Sequence, residues 1–546
     1  MFAPSEASRT FPVLVLLSIV LFGYFLAFVV WPKLALSKPR VRFPPGPRGD
    51  PIIGNARDLP SEYQYVKYHE WSKQYRSDLI HLKIFGQSLV VLNSYNVVTD
   101  LLEKRATLYS DRPQLTMTAD LMGFGWATIL TPYNSELKIN RRLLHHAFNP
   151  SATRAYAPLQ ERCMSEFLQK ALESPLRLDE HVKQLAASIS LEMAYGRKIS
   201  RSYGSELLKT VSEGMHYWNI GVSAGWFVDF LPILKHVPAW LPGAHFRRVA
   251  RSARPVSSRM LEEPFRAVKA SMHEQDAGIS DISFTHNLLA GEGHITGAKN
   301  EEDFIKRNAA TLFGAASDTT VSSLMSFILG MTLHPEFQSK AQSEIDRVIG
   351  NNRLPTLADR PNLPYVNCIV KEVLRSVFSI TANEFTPHKY LVNSWNPSGP
   401  IGSPRRVMED DVYNGMLIPK GATIIANVWA LMHDQSVYDK PFEFNPDRFD
   451  CEHPPRDPHL MAFGFGRRIC PGLPLSSATI FLFVAQVLAT FNIRKAVDQS
   501  GAEITPAAKF TSGVISHPAP FEYKMYPKSQ RAAQLILSLS DSIADD

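Results

Sequence analysis

Cysteine is scarce in this 546-residue chain: there are four, Cys163, Cys368, Cys451 and Cys470, with no Cys-x-x-Cys pair and no regular spacing. That excludes a secreted disulfide framework and a cysteine zinc site, and it points to a reducing compartment for the working part of the chain. Excess charge of one sign is scarce as well. The 58 Lys and Arg and 52 Asp and Glu leave a formal charge of +6 without any dense basic block, which argues against nucleic acid as a partner. Internal repeats, low-complexity stretches and Gly/Ser linkers are lacking after residue 60, so the length reads as one large domain around a sizeable core. Proline is plentiful, 39 residues against 29 glycines, as expected of ordered loops joining helices.

One apolar run stands out near the start. Residues 11–31, FPVLVLLSIVLFGYFLAFVVW, carry no charge, and as a helix they would span about 30 Å, enough to cross the hydrocarbon core. A cleaved signal peptide is the alternative, but the run exceeds a usual h-region and no small-residue cleavage site follows. Arg9 precedes the run, whereas Lys33, Lys38, Arg40, Arg42 and Arg48 follow it, so the positive-inside rule puts the bulk of the chain in the cytosol. Phe43-Pro44-Pro45-Gly46-Pro47 cannot continue a helix and reads as a stiff elbow. The expected organisation is a short tail over residues 1–10, a single-pass anchor over 11–31, a proline-rich hinge over 32–61 and a globular body over 62–546.

The body reads as mainly α with a small β region. Leu79 to Leu92 reads as two short strands about a turn at Gly86, and residues 407–427 alternate turn residues with β-branched ones. The longest helix is expected from about Glu302 to His334, with Glu301, Glu302 and Asp303 at its positive end and Pro335 stopping it. It is apolar almost all round from Ala309 to Leu333, so it should run through the core, and polar residues in its middle call for a reason.

The densest chemical signal is Phe463-Gly464-Phe465-Gly466-Arg467-Arg468-Ile469-Cys470-Pro471-Gly472, just before an apolar helical run from Leu475 to Leu488. Glycines permit positive φ and close approach of backbone to a flat ligand. A cysteine near a helix N-terminus, flanked by two arginines, should favour thiolate. A lone cysteine is otherwise more often a small buried hydrophobe. Glu372-x-x-Arg375 puts both side chains on one helical face, a spacing that surface helices also carry widely. Ala315-Ala316-Ser317-Asp318-Thr319-Thr320 places four polar side chains inside the long apolar helix, where hydroxyls can also simply bond the carbonyl one turn back.

Together these segments resemble the cytochrome P-450 superfamily of haem-thiolate monooxygenases over nearly the whole chain, in its microsomal form and nearest to fungal secondary-metabolism members. The resemblance implies the cytochrome P-450 fold and haem b, with Cys470 as the axial iron ligand whose thiolate favours O–O cleavage. It implies that Arg467 and, from TPYNSELKINRRLLHHAF, Arg141 contact haem propionates, with Phe463 also at the cofactor. Leu137 stands where the family has tryptophan, which removes one hydrogen bond to haem. Glu372, Arg375 and, from Pro446-Asp447-Arg448-Phe449, Arg448 are implied to form a buried structural network. Asp318 and Thr319 are implied to relay protons in the distal pocket. Ala316 departs from the usual glycine, so a local opening of the helix is not assured there. The segments NVWALMHD and FTSGVISHP also match, the second as a wall of the substrate pocket.

The implied reaction inserts one oxygen atom from O2 into a lipophilic small molecule, a terpenoid or polycyclic secondary metabolite. Electrons would come from an NADPH-cytochrome reductase, with a cytochrome b-type donor as a second source, and Arg467 and Arg468 are candidates for docking it. Membrane lipid is the other partner, and the implied location is the endoplasmic reticulum membrane with a lumenal tail. Two alternatives remain: a haem-thiolate isomerase or dehydratase, against which the retained Asp318 and Thr319 speak, and an inactive haem-binding relative. Residues 376–394, SVFSITANEFTPHKYLVNS, separate Arg375 from Trp395-Asn396-Pro397, which in the family follows almost at once. They show neither helical nor strand period, and they read as a translated, unspliced intron.

Overall fold

The computed structural model describes residues 41–223, 225–273, 283–291, 300–375 and 396–544. The expected tail, the anchor over 11–31, the start of the hinge and the anomalous segment 376–394 lie outside the described residues.

Eleven helices carry the architecture used below: α1 Gln64–Tyr75, α2 Ser135–Phe148, α3 Ala157–Glu173, α4 Leu178–Tyr195, α5 Arg197–Ser223, α6 His245–His273, α7 Glu301–Leu333, α8 Pro335–Val348, α9 Pro364–Arg375, α10 Leu473–Thr490 and α11 Gln530–Ala544. Helix α7 matches the expected long helix to within a residue at each end. Three acidic residues fill its first turn, where they meet the positive end of the helix dipole. Pro335 does more than end it, since it occupies the first turn of α8, where a missing N–H costs nothing. Helices α7 and α10 are long and apolar enough to cross a membrane by composition, yet both are largely buried inside the protein. Phe327 on α7 meets Phe483 on α10 edge-on, with ring centroids 5.8 Å apart, in the larger of the hydrophobic clusters.

Strands β1 Leu79–Ile84 and β2 Gln87–Leu92 form the expected hairpin, with Leu79 opposite Leu92. Phe85 and Gly86 both have positive φ, the two-residue turn whose twist suits a hairpin. The later β region divides. β3 Arg405–Arg406 and β6 Thr423–Ala426 extend the first sheet in the order β1-β2-β6-β3, whereas β4 Asp411–Tyr413 and β5 Met416–Ile418 pair separately about Asn414-Gly415. A third sheet, β7 Phe491–Val497 with β8 Glu503–Ile504 and β9 Tyr523–Pro527, lies beyond the β segments expected from sequence.

The proline-rich segment is not a free elbow where it is described. The Pro45 carbonyl accepts from His81 N–H at 3.0 Å, the Arg42 carbonyl accepts from Leu417 N–H at 2.8 Å, and Asn55 Oδ1 accepts from Lys83 N–H at 2.9 Å. Phe43 stacks on His81. A Cβ on Gly46 would lie 2.1 Å from the His81 carbonyl oxygen, so this close approach requires glycine. The body therefore begins near Arg42, well before residue 62, because these backbone groups are satisfied by the strands beside them.

Candidate active site

The loop before α10 is built by its own backbone. The Cys470 N–H donates to the Phe463 carbonyl at 2.7 Å and closes the turn. Gly466 has φ +53°, and a Cβ there would lie 2.2 Å from the Leu102 carbonyl oxygen, so its glycine admits a neighbouring backbone rather than a ligand. Phe463 contributes that carbonyl, while its ring stacks on His459. The loop presents the exposed Cys470 thiol to a cavity of about 590 Å³ that Tyr133, Leu137, Arg141, Gly466, Arg467 and Leu473 help to line. The other cysteines differ: Cys163 and Cys368 are buried in the core and Cys451 lies at the surface.

Burial raises the Cys470 thiol above its ordinary value, against the N–H groups of Gly472 and Leu473 and the charge of Arg141, which favour thiolate. The helix terminus thus acts as expected, but the cation beside the sulfur is Arg141, not the two flanking arginines. Arg141 also donates to the Ile469 carbonyl, next to the cysteine. Arg467 lines the cavity and lies over the Tyr133 ring, 5.5 Å from its centroid, donating to its hydroxyl. Arg468 turns inward and donates to the Ser110 and Thr131 carbonyls, each at 2.7 Å. Being buried, it is not available to dock a reductase, which corrects that expectation.

Arg468 belongs to a cluster that pattern reading missed. Arg112 and Arg405 are buried with it, and burial together with their neighbours' like charge pushes Arg405 and Arg468 down to about 10 and Arg112 well below its ordinary value. Arg405 donates through Nη2 to the Phe465 carbonyl at 2.6 Å, whereas its Nη1 is buried without a partner among the described residues. Asp111 offsets part of the charge of Arg112 and Arg468, and Glu103 part of that of Arg405; the surplus of buried cations favours an anionic ligand, and the paired carboxylates of a haem suit it. One thiol, an apolar wall at Leu137 and a surplus of buried guanidiniums therefore fit haem. Among the described residues no three His, Cys, Asp or Glu converge as a metal site, so an iron held here would take its remaining ligands from a porphyrin. The sequence signal for the cluster was Pro404-Arg405-Arg406, visible but carrying no spacing rule.

Asp318 and Thr319 are not among the residues lining that cavity. They lie in the middle of α7, which stays α-helical through residues 315–320, in keeping with alanine rather than glycine at 316. Ala315 and Thr319, one turn apart, are nevertheless exposed within this buried helix, while the Thr319 hydroxyl donates to the Ala315 carbonyl at 2.9 Å. Ser317 likewise bonds the Phe313 carbonyl, so the bland role weighed for these hydroxyls is realised. Asp318 bonds neither backbone nor hydroxyl: its partners are Asn219 and His517.

The expected network is present. Arg375 donates to both Glu372 oxygens, Arg448 Nε lies 3.3 Å from Glu372 Oε2, and Arg375 also donates to the Met432, Pro441 and Glu443 carbonyls.

The family model that matches the chain is Cytochrome P-450, over residues 44–390 and 395–525. The chain belongs to the cytochrome P-450 family. Curated relatives agree. It is 40% identical to the cytochrome P-450 monooxygenase claR of Ampulloclitocybe clavipes, over 92% of this chain and 89% of the relative. It is 36% identical to cytochrome P-450 monooxygenase 98 of Postia placenta, over 96% and 98%, and 35% identical to the cytochrome P-450 monooxygenase ple1 of Rhodocybe pseudopiperita, over 98% and 97%. The cytochrome P-450 cofactor is haem b held by a cysteine thiolate, and in this member Cys470 is the cysteine that faces a cavity.

Proposed function

We propose that this cytochrome P-450 monooxygenase inserts one oxygen atom from O2 into a lipophilic small molecule, a terpenoid or polycyclic secondary metabolite. Electrons come from NADPH through a membrane-bound reductase. The observation that carries the reading is Cys470, a single thiol on a glycine-shaped loop, open to a cavity that the cationic side chains of Arg141 and Arg467 also line. Haem b, bound through the Cys470 thiolate, supplies the oxygen-activating redox chemistry. Arg141, Arg405 and Arg467 hold the propionates, and Leu137 and Phe148 present apolar surface to the cavity. Asp318 and Thr319 handle protons on α7. Glu372, Arg375 and Arg448 lock the frame and take no part in chemistry.

The body sits on the cytosolic face of the endoplasmic reticulum membrane, held by the apolar run over residues 11–31. The side chains of Phe227, Ile233 and Trp240 support contact with lipid, since they are 62%, 74% and 78% exposed within one short segment.

The test reconstitutes the full chain with haem, reductase and NADPH in vesicles and follows candidate substrates by product mass spectrometry. Expected are a thiolate-type Soret shift of the reduced carbon monoxide complex and NADPH-dependent product, both lost in Cys470→Ala. Absence of the Soret shift, even with residues 376–394 deleted, would overturn the reading. Turnover with peroxide alone would instead mark an isomerase or dehydratase, and a normal haem spectrum without turnover an inactive relative.

A further inference from the structure

Asp318 is held from two sides. Its Oδ1 lies 3.1 Å from His517 Nε2, and its Oδ2 accepts from Asn219 Nδ2 at 3.2 Å. Burial alone would raise this carboxyl, but His517, Asn219 and the charge of Lys183 outweigh it and hold the group below the usual carboxylate range.

The imidazole reaches Asp318 from a loop fastened to the same helix. His517 N–H donates to Thr511 Oγ1 at 3.0 Å, and its carbonyl accepts from Thr511 N–H at 2.8 Å. The neighbouring Ser516 carbonyl accepts from the Ser322 hydroxyl on α7, one turn beyond Asp318, and the Ser516 hydroxyl accepts from Asn396 Nδ2 at 3.0 Å. Asn219 comes from the last turns of α5. One carboxylate thus ties α7, α5 and the loop over residues 511–517 together.

The two direct partners of Asp318 carry no permanent charge. Asn219 from α5 is neutral, and the loop supplies an imidazole, which carries charge only when protonated. The full cation acting on Asp318 from α4 is Lys183, which makes no hydrogen bond to it and pairs with Asp179 at 3.5 Å. The His517 side chain is 27% exposed, so water can exchange protons with it.

We infer that His517 is a positioning residue for Asp318: its protonated imidazole fastens Oδ1 and closes the clamp with Asn219, and loss of that proton loosens it. The inference rests on Asp318 being the proton-handling acid proposed above. When His517 is protonated the carboxylate is engaged at both oxygens and α5 is drawn onto α7. When it is neutral the charge-assisted part of that hold is gone, and the carboxylate turns more readily within α7.

The test uses the full-length holoenzyme in vesicles and compares wild type, His517→Gln and His517→Ala at pH 6 and pH 8. Hydrogen exchange of residues 217–223 and 511–518 is read after correction for its intrinsic pH dependence. In wild type, exchange should be about threefold slower at pH 6 than at pH 8, the scale of a partly exposed ionic contact. Glutamine keeps a donor but cannot titrate, so that difference should vanish in His517→Gln, and His517→Ala should exchange rapidly at both values. With reductase present, product formed per NADPH should vary over the same pH range in wild type and not in His517→Gln. A wild-type exchange pattern indifferent to pH, or a His517→Gln variant that keeps the wild-type pH response, would overturn the inference. Failure of wild type to form NADPH-dependent product would instead sink the functional reading, while the exchange measurement still decides the clamp.

Discussion

Glu372 and Arg375, three residues apart on α9, are both completely buried and joined by two hydrogen bonds of 2.6 and 2.7 Å. Breaking such a pair from one side leaves an uncompensated buried charge, at a cost of about 3–5 kcal/mol. Arg375 also satisfies three backbone carbonyls, whereas among the described residues Glu372 additionally accepts one backbone N–H, that of Asn445. Arg375→Met should therefore destabilise more than Glu372→Gln, read as the loss of folded, haem-loaded protein on denaturant titration. Equal, small losses would show that the network is not a structural lock.

Arg405 sits among like charges in the protein alone and is expected to meet a carboxylate when haem is bound. Arg405→Met should speed the transfer of haem to an acceptor globin by about tenfold or more, the weight of a hydrogen bond to a charged group. The haem-free protein should be no less stable, because the repulsion from Arg468 and Arg141 is relieved. Unchanged haem retention would remove Arg405 from the cofactor site.

Asp229 carries a pH dependence of its own. Burial pushes its carboxyl up to about 6, with Asp120 adding and the Met117 and Thr116 N–H groups opposing. Between the ordinary value of 3.8 and about 6 the folded chain keeps a proton that the unfolded chain has released. This group's contribution to stability thus falls as pH rises through that window, and the deficit persists above it. Asp229→Asn keeps an acceptor for Met117 and should raise stability at pH 7 by on the order of 2 kcal/mol, with little effect at pH 4. Melting curves at the two pH values check this, and an equal effect at both would refute it.

Residues 376–394 begin directly after the wholly buried Arg375 and end just before Trp395 and the buried Asn396, which donates to the Tyr65 and Ser516 hydroxyls. The family match is interrupted within them, at 391–394. If they are an unspliced intron, a chain lacking them should fold at least as well and bind more haem per protein, and the mature transcript should lack their codons. Uniform retention of those codons would defeat the idea.

The parts legible in the sequence were those that local rules govern. A long apolar run with acidic residues at its start and Pro335 at its end marked α7, the turn at Gly86 marked the first hairpin, and the decapeptide ending in Gly472 marked the cysteine loop. The Glu372–Arg375 pair was legible because three-residue spacing puts both side chains on one helical face and the family resemblance singled that pair out. The third sheet escaped because β7 continues directly from the apolar helix α10, so no turn residue separates the two.

Sequence alone determined the family and the class of cofactor and singled out Cys470 as the candidate sulfur, since each is written in a contiguous stretch whose chemistry does not depend on distant neighbours. Tertiary structure decided that Arg141 stands beside that sulfur, that three other arginines cluster in the interior, and what holds Asp318. Arg112, Arg405 and Arg468 converge from three distant segments, and His517 reaches Asp318 across 199 positions. Charge acts through space, so its partners are set only when the chain has packed.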